Sequence, residues 1–561
     1  MSNEKEIVFY DVEVYPNFWC ICFIDTNNER QYYTSDSTNL SGLVKTVNNS
    51  CLVGFNNYEY DDIIVQSIVA GYDWTSYIYK LSTTIMSGEK IWSTLDSFDI
   101  YKNCGTRNTA LKRLASELGL NVQETPIPFD KKELEQDEKN LIVEYCFNDV
   151  LATKESFYKV RNTQGVLMSD TYKTKVSLSE QYGINKNWGN NALIKRIFNG
   201  FGTRWQRVRV KFQDKVKDPR FKVDYKKPPQ AIGDLDITYD DGGIHGTNRA
   251  YLGKKVEKIH CFDYDSMYPF IMISLDMFGG ETPKLVNLIE ERFRLKAAGD
   301  ERQANNKLII NAISGLLGYM ESVLYDPIRA LSMRVTGQQL VMILTEKIMS
   351  YGFEVLQINT DGVYFIGNMS EEIKKEIQEY IEQVTNIGIS YDYYDKFIQK
   401  DVNNYVAKSG DKIIVKGVFT KNYHGTSLLT KDSARIVDIL LVDKLIDNID
   451  FSDTLKKYID NNDLLPFSRT LYAGHKFDST LDEHMQEHQR CNRIIATKNG
   501  LKSLVKYQKD KNRTIVFAKL PRTFTIVNDE ISKYNISDLD IDYNYYLEEA
   551  KDRYNQFLGI K

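Results

Sequence analysis

Two segments in the middle of the chain constrain the fold most, because each presents an acidic residue at the end of an apolar strand. Residues 258–272 deliver Asp263 to a predicted strand end, after which the chain turns into a buried helix. Residues 354–366 contain two β-rich runs that flank Asp361-Gly362, a dipeptide that favours a tight hairpin turn. Alone, Asp263 is typical of a turn or helix cap. Carboxylates on adjacent strand ends, however, can hold paired Mg²⁺ ions for phosphoryl transfer.

Length and composition place the chain among soluble globular proteins. Its 561 residues suffice for several structural units, and 42 % of them are hydrophobic. No apolar run reaches 18 residues and the N-terminus lacks a signal-peptide pattern, so we expect a cytoplasmic protein without a membrane partner. The seven cysteines are scattered without a C-x-x-C pair, which indicates a reducing compartment and argues against structural zinc.

Basic residues concentrate in two blocks, although the formal net charge is −5. Residues 204–227 hold ten Lys and Arg against three Asp, and residues 490–522 hold ten against one Asp. Either block alone is compatible with a solvated face. Together they favour a channel for a nucleic-acid duplex, because phosphate contacts depend on local charge.

A second group of carboxylates lies in the first 150 residues. Asp11 and Glu13 alternate on a predicted strand, 6–14, so they share one face of it. In the predicted helix 138–161, Tyr145 and Asp149 lie one turn apart. Each pattern also occurs by chance, but carboxylates on one strand face repel unless they are solvated or bind a cation.

The central motifs resemble those of family B DNA polymerases. Asp263-x-x-Ser266-Met-Tyr268-Pro is similar to motif A, and Asn359-Thr-Asp361-Gly to motif C; Lys307-x-x-x-Asn311-x-x-x-Gly315, between them, is similar to motif B. The order of the three is the family's order. The resemblance implies that Asp263 and Asp361 are catalytic and bind metal. It implies nucleotide-binding roles for five residues: Ser266, Tyr268, Lys307, Asn311 and Gly315.

The N-terminal motifs resemble those of DEDDy 3′→5′ proofreading exonucleases. The D-x-E, N-x-x-F/Y-D and Y-x-x-x-D patterns are matched by seven residues: Asp11, Glu13, Asn57, Tyr60, Asp61, Tyr145 and Asp149. The resemblance implies that the four carboxylates hold metal, that Tyr145 orients the attacking water, and that Asn57 and Tyr60 contact DNA. Two Mg²⁺ per active site are implied, with Mn²⁺ able to substitute.

Two further elements are similar to DNA-contacting elements of the polymerase family. Gly242-Gly243 resembles the Y-x-G-G loop that contacts template, and Tyr405 with Lys416 resembles the primer-binding K-x-Y element and the Lys-Gly after it. The implied fold is an α/β and α+β multidomain chain with a ribonuclease H-like exonuclease and a right-hand polymerase. The implied units are exonuclease 1–165, basic connector 166–235, palm 236–283 and 321–425, fingers 284–320 and duplex-binding thumb 426–561.

Three residues depart from the family pattern. Asn359 replaces the first Asp of motif C, Ser314 replaces the Tyr of motif B, and Asn403 replaces the Lys of K-x-Y. The metal ligand Asp361 is retained, so activity need not suffer. Ser314 puts fidelity and nucleotide affinity in question, and Asn403 predicts a weaker primer grip.

Three groups of charged or polar residues have two interpretations each. Lys131 or Lys132 either assists near a scissile phosphate or is surface charge. Arg292, Arg294 and Lys296 are phosphate contacts or solvated charge. His484 and His488 suggest zinc or, as we predict, an exposed helix face.

The resemblance predicts a compact phage or plasmid DNA polymerase with proofreading, acting on primer–template DNA and dNTPs, with replication accessory proteins as further candidate partners. Protein priming is disfavoured, because the spacings between motifs A, B and C leave little room for insertions that grip a terminal protein. Two alternatives stay open. One is a 3′→5′ exonuclease whose degenerate polymerase module only binds DNA, and the other is a non-enzymatic interaction protein.

Overall fold

The computed structural model describes residues 5–105, 109–198, 227–239, 242–425 and 433–560, with residues 215, 217, 218, 221 and 223 between them. The basic block 204–227 therefore lies almost wholly outside the described residues. Among the residues that are described, no helix is long and apolar enough to cross a membrane. All seven cysteines are free and buried.

The N-terminal unit is built on a five-stranded sheet with the spatial order β3-β2-β1-β4-β5. Its strands are β1 Glu6–Tyr15, β2 Phe18–Asp25, β3 Arg30–Thr34, β4 Ser50–Gly54 and β5 Ser97–Asp99. Its helices are Ser41–Asn49, Asp61–Val69, Thr75–Met86, Ile100–Asn103, Leu111–Glu117 and Gln136–Lys159. Strand β1 is antiparallel to β2 and parallel to β4. Its alternating residues pack into two separate cores on opposite faces, and Asp11 and Glu13 share the face of Phe9 and Tyr15.

The central unit is a nine-stranded antiparallel sheet with the spatial order β14-β13-β12-β9-β11-β10-β8-β7-β6. Its strands are β6 Ala231–Ile232, β7 Leu235–Thr238, β8 His245–Asn248, β9 Lys255–Tyr264, β10 Glu354–Asn359, β11 Gly362–Ile366, β12 Ile389–Asp401, β13 Asn404–Ser409 and β14 Lys412–Lys416. Strands β9 and β11, which carry the two segments singled out above, lie side by side near the middle. The topology thus brings Asp263 and Asp361 together where these two neighbouring strands meet the same end of the sheet.

Helices cover one face of this sheet and form the largest core with it. They are Met168–Tyr182, Asn190–Ile197, Met267–Ser274, Thr282–Ala297, Gln303–Leu317, Pro327–Ser350 and Glu371–Thr385, with short 3₁₀ turns at Arg249–Tyr251 and Gly279–Glu281. The predicted finger hairpin is the pair Thr282–Ala297 and Gln303–Leu317. Within the predicted connector, Met168–Tyr182 packs on that hairpin, and Asn305 Nδ2 donates to Ser177 Oγ at 2.6 Å.

The C-terminal region combines helices with two small sheets, ordered β15-β18-β21 and β17-β16-β19-β20. Its strands are β15 Ser468–Tyr472, β16 Ser479–Asp482, β17 Glu487–His488, β18 Cys491–Leu501, β19 Leu504–Gln508, β20 Arg513–Val516 and β21 Phe524–Ile526. Its helices are Arg435–Asp447, Phe451–Asp460 and Tyr543–Leu558, with 3₁₀ turns Leu465–Phe467, Ile531–Lys533 and Ile536–Asp538. The second basic block occupies β18 to β20.

The prediction that His484 and His488 lie on an exposed helix face is wrong. Residues 483–486 form a turn between β16 and β17, and His488 belongs to β17. Asp482 Oδ1 accepts the N–H groups of His484 and Gln486, both at 2.9 Å, which offers the backbone a turn in place of a helix. His488 Nε2 lies 3.0 Å from Asp482 Oδ2, so the two histidines do not form a pair on one face.

Candidate active sites

The first site forms where β9 and β11 end side by side. Asp263 is paired in register with Gly362, and the N–H of Tyr264 donates to the carbonyl of Asp361 at 3.0 Å. Burial and the charge of Asp263 raise the pKa of Asp361 to about 6. Burial also raises the pKa of Asp263. Two carboxylates at neighbouring strand ends repel each other, a bound cation relieves that repulsion, and carboxylate oxygens are the ligands that Mg²⁺ prefers.

The turn that carries Asp361 differs from the predicted one by one residue. Thr360 and Asp361 form the tip, Thr360 adopts a φ of 57°, and Gly362 already belongs to β11. Glycine is required at residue 362 for a different reason from turn geometry. A Cβ atom there would lie 1.9 Å from Asp263 Oδ1, so the missing side chain leaves room for the carboxylate.

For the primer extension that the resemblance implies, Gly362→Ala is expected to lower the rate about a hundredfold, because the methyl group displaces the Asp263 carboxylate by an ångström or more. The measurement is the rate of primer extension at saturating dNTP. Gly280→Ala is the matched control, since a Cβ atom at residue 280 meets open space. Equal rates for the two variants would contradict the assignment of Asp263.

The predicted template loop, which contains Gly242 and Gly243, contacts this turn. The N–H of Thr360 donates to the carbonyl of Ile244 at 2.9 Å, and Gln338 Nε2 donates to the carbonyl of Gly242 at 2.8 Å. A Cβ atom on Gly243 would lie 3.0 Å from Thr360 Cγ2. The carbonyl of Ile244 therefore supports the Asp361 turn and Gly243 leaves room for Thr360, while the predicted contact of Gly242 and Gly243 with template stays a prediction.

A small cavity of about 170 Å³ opens beside Asp361. It is lined by Ser266, Met267, Tyr268, Pro269, Arg292, Ile310, Asn311, Ser314 and Asp361. Ser266 has a φ of 55°, and Arg292 Nη1 donates to its hydroxyl at 2.7 Å. Backbone strain of this kind clusters at functional sites. The structure thus places Arg292 in the cavity, whereas Arg294 pairs with Glu291 on an exposed face.

Tyr268 packs between this cavity and the helix Pro327–Ser350. A Cβ atom on Gly337 of that helix would lie 3.1 Å from Tyr268 Cε1, so the glycine allows the ring its close approach. Burial raises the pKa of Tyr268 to about 12, which keeps its hydroxyl neutral. The Tyr268 ring forms part of the cavity wall.

The helix Gln303–Leu317 carries the motif B residues on one side. Lys307, Asn311 and Gly315 are exposed, and Ser314 is half-buried with its hydroxyl donating to the carbonyl of Asn311 at 3.0 Å. The other side of the helix is buried by Ile309, Ile310, Ile313, Leu316 and Leu317, as its periodicity predicts. Of this helix, Ile310, Asn311 and Ser314 line the cavity.

The predicted primer-binding residues lie on β13 and β14, paired in register. Tyr405 is buried, with its ring centroid 5.2 Å from that of Phe397. Lys416 is exposed, and its positive charge partly offsets the rise in the pKa of Asp361 that burial and Asp263 cause. Asn403, at the family's Lys position, donates its N–H to Asp401 at 2.9 Å. Of these residues, Lys416 is the one whose charge acts on Asp361.

The second site lies in the N-terminal unit. Carboxylate oxygens of Asp11, Glu13 and Asp149 all lie within 4.8 Å of one another, which suits a metal ion. Burial, followed by the charges of neighbouring carboxylates, raises the pKa of Asp11, Glu13 and Asp61. The charge of Asp11 contributes to the raised pKa of Asp61, so Asp61 interacts with this carboxylate cluster. The strand β1 and the helix Gln136–Lys159 bring these residues together.

Asn57 and Tyr60 lie at the start of the helix that carries Asp61. Asn57 is 1 % exposed, and its Nδ2 donates to Asp62 Oδ1 at 3.0 Å. Tyr60 shares a hydrogen bond of 2.7 Å with Ser82 Oγ. These contacts fix the turn that presents Asp61. The predicted DNA contacts of Asn57 and Tyr60 stay predictions.

Lys112 is a residue of this site that sequence reasoning missed. Its Nζ lies 2.5 Å from Asp149 Oδ1 and 4.2 Å from the centroid of the Tyr145 ring. No local pattern marks it, because Lys112 and Asp149 belong to different helices. Lys131, one of the two lysines considered from the sequence, pairs instead with Glu138, and Lys132 is exposed.

A cluster of three thiols supports the backbone beneath Asp11. Sulfur atoms of Cys20, Cys22 and Cys146 lie within 4.8 Å of one another in the core. Cys146 Sγ donates to the carbonyl of Asp11 at 3.4 Å. Cys146 also follows Tyr145 directly in the chain, so the thiol cluster lies next to the carboxylate site.

Comparisons with known proteins point to one family. No family model matches the chain. DNA polymerase 1 of Pyrococcus abyssi (strain GE5 / Orsay) is 26% identical over 209 residues, 32% of this chain and 27% of the relative. The DNA polymerase of Pyrococcus glycovorans is 22% identical over 224 residues, 38% of this chain and 29% of the relative. The family B DNA polymerase structure from the hyperthermophilic archaeon Pyrobaculum calidifontis aligns with 99% of this chain and 78% of that chain, with a TM-score of 0.50 and 14% identity.

These comparisons confirm the predicted resemblance to family B DNA polymerases and the predicted α/β and α+β multidomain fold. The matched part spans less than a third of the length of the curated relatives. The structural likeness covers nearly the whole chain and shows a shared fold. The predicted unit boundaries and residue roles stay predictions.

Proposed function

We propose that the chain is a template-directed DNA polymerase that adds dNTPs to a primer 3′-OH, with a 3′→5′ exonuclease that removes mismatched ends. The observation that carries this proposal is the presence of two separate groups of carboxylates. One lies at the ends of the central strands of the nine-stranded sheet, and the other lies in the N-terminal unit. Its substrates are primer–template DNA and dNTPs.

Asp263 and Asp361 fit a pair of Mg²⁺ ions, for which Mn²⁺ can substitute, because they offer crowded oxygen ligands at adjacent strand ends. When bound, such ions lower the pKa of the attacking oxygen and neutralise the charge of the leaving group. In the nuclease site the candidate ligands are Asp11, Glu13, Asp61 and Asp149. Burial and the charges of neighbouring carboxylates raise the pKa of three of them, and a bound cation would relieve that repulsion.

Side chains around the polymerase cavity position the nucleotide in this proposal. Lys307 and Arg292 attract the triphosphate, since one extends from the exposed helix face and the other lies in the cavity wall. Tyr268 lies under the sugar and excludes a 2′-OH. Asn311 and Gly315 leave a flat surface for the nascent base pair.

In the nuclease site, Tyr145 orients the water that attacks the terminal phosphodiester. Lys112, which contacts both the Tyr145 ring and Asp149, supplies a positive charge for the scissile phosphate. A frayed primer end therefore meets the metal ligands, the Tyr145 hydroxyl and the Lys112 ammonium group within one site.

We further propose that the chain replicates a phage or plasmid genome, with accessory proteins as further partners, by ordinary primer extension and without a terminal protein. The short connections between β9, the two finger helices and β10 support priming without a terminal protein, because residues 265–353, all of which are described, contain no large inserted subdomain.

The test uses a 5′-labelled primer annealed to a longer template, with Mg²⁺. Addition of only the next complementary dNTP is expected to lengthen the primer by one nucleotide, and all four dNTPs to extend it to the template end. Without dNTPs the primer is expected to shorten from its 3′ end. Shortening under all conditions would favour the nuclease with a degenerate polymerase module, and Ser314 and Asn359 would then be reverted.

A further inference from the structure

The C-terminal region contacts the segment of the N-terminal unit that follows the helix Leu111–Glu117. Gln489 Nε2 donates to the carbonyl of Val122 at 2.7 Å, and its Oε1 accepts the N–H of Glu124 at 3.0 Å. On the other side, the N–H of Val122 donates to the carbonyl of Asn528 at 2.9 Å. The side-chain amide of Gln489 thus pairs with the backbone of residues 122–124 as a neighbouring strand would.

This contact is part of a well-packed junction. Arg493, which is fully buried, donates to the carbonyls of Leu120 and Asp529. The N–H of Ile531 donates to the carbonyl of Gly119 at 2.8 Å. Gln489 itself is held by its own carbonyl, which accepts hydrogen bonds from Asn492 and Thr480. Its position is therefore set by the C-terminal sheets.

The segment 122–124 in turn contacts the nuclease site. Lys112 Nζ lies 3.4 Å from the carbonyl oxygen of Gln123, between the two backbone groups that Gln489 binds. The same nitrogen lies 2.5 Å from Asp149 Oδ1. A continuous series of hydrogen bonds and one ion pair therefore leads from the C-terminal region to a candidate metal ligand.

We propose that Gln489 is a positioning residue of the exonuclease site, which fixes Lys112 through the backbone of residues 122–124. This inference rests on the proposed exonuclease function and extends it: the C-terminal region, far along the chain, is part of the nuclease site. The primer end is then cleaved efficiently only when the two regions are docked.

The test measures 3′→5′ shortening of a 5′-labelled single-stranded oligonucleotide by the full-length chain, with Mg²⁺ and without dNTPs. Gln489→Ala is expected to lower kcat about tenfold, the usual scale for loss of a group that orients a site residue, with KM within about twofold. Primer extension on a matched primer is expected to stay at the wild-type rate, which also reports a folded chain. Gln486→Ala, at an exposed glutamine in the turn that precedes β17, is the matched control.

A double-mutant cycle with Lys112→Ala separates positioning from general structural support. If Gln489 acts through Lys112, the double variant is no slower than Lys112→Ala alone. Independent, multiplicative effects, or wild-type shortening by Gln489→Ala, would overturn the inference while leaving the proposed function intact. Absence of shortening by the unmodified chain would overturn both.

Discussion

Asp361→Asn is expected to reduce primer extension at least about a thousandfold, while shortening without dNTPs continues at the wild-type rate. Asparagine keeps the shape of the turn but removes the negative charge that, with Asp263, holds cations at the strand ends. Metal-assisted stabilisation of the transition state amounts to several kcal/mol, and each 1.36 kcal/mol is about tenfold in rate. The measurement is single-turnover incorporation of one nucleotide.

Asn359, two residues before Asp361, provides the control for this prediction. Asn359 is the last residue of β10 and pairs with Gly362 and His245, so it lies one position before the turn. Asn359→Asp adds a carboxylate at the position where the family usually has one, and extension is expected to change by no more than a few-fold. A large gain from Asn359→Asp combined with a mild loss from Asp361→Asn would exchange the roles given to these residues.

Asp11→Ala is expected to have the opposite pattern, with shortening reduced at least about a thousandfold and extension of a matched primer unchanged. Asp11 lies within 4.8 Å of the carboxylates of Glu13 and Asp149, so its loss removes a shared metal ligand. In the metal-free chain these carboxylates repel, as their raised pKa values indicate, so the variant is not expected to unfold at a lower temperature. Loss of extension together with shortening would instead indicate one shared site.

The sequence predicted the elements of the fold well where local patterns are strong. The strand predicted at 6–14 forms as Glu6–Tyr15, and the helix predicted at 138–161 forms as Gln136–Lys159. Alternation correctly placed Asp11 and Glu13 on one face of β1. These features follow from side-chain periodicity, which does not depend on distant parts of the chain.

Features that depend on contacts between distant segments could not be predicted. Lys112 reaches the nuclease site only because two helices pack together, and Gln489 reaches it from the C-terminal region. The role of Gly362 comes from the neighbouring strand β9, whose Asp263 needs the space. His484 and His488 were misplaced because the side chain of Asp482 competes for backbone N–H groups, and helical spacing alone does not show this.

The coexistence of two sites on one chain is tested most directly with a 5′-labelled primer that ends in a 3′ mismatch, annealed to template with Mg²⁺ and all four dNTPs. The product is measured for length and for sequence at the mismatched position. We predict brief shortening, then extension to the template end with the mismatch corrected, and retention of the mismatch in any product of Asp11→Ala. Shortening that never gives way to extension, or full-length product that keeps the mismatch with the unmodified chain, would contradict the account.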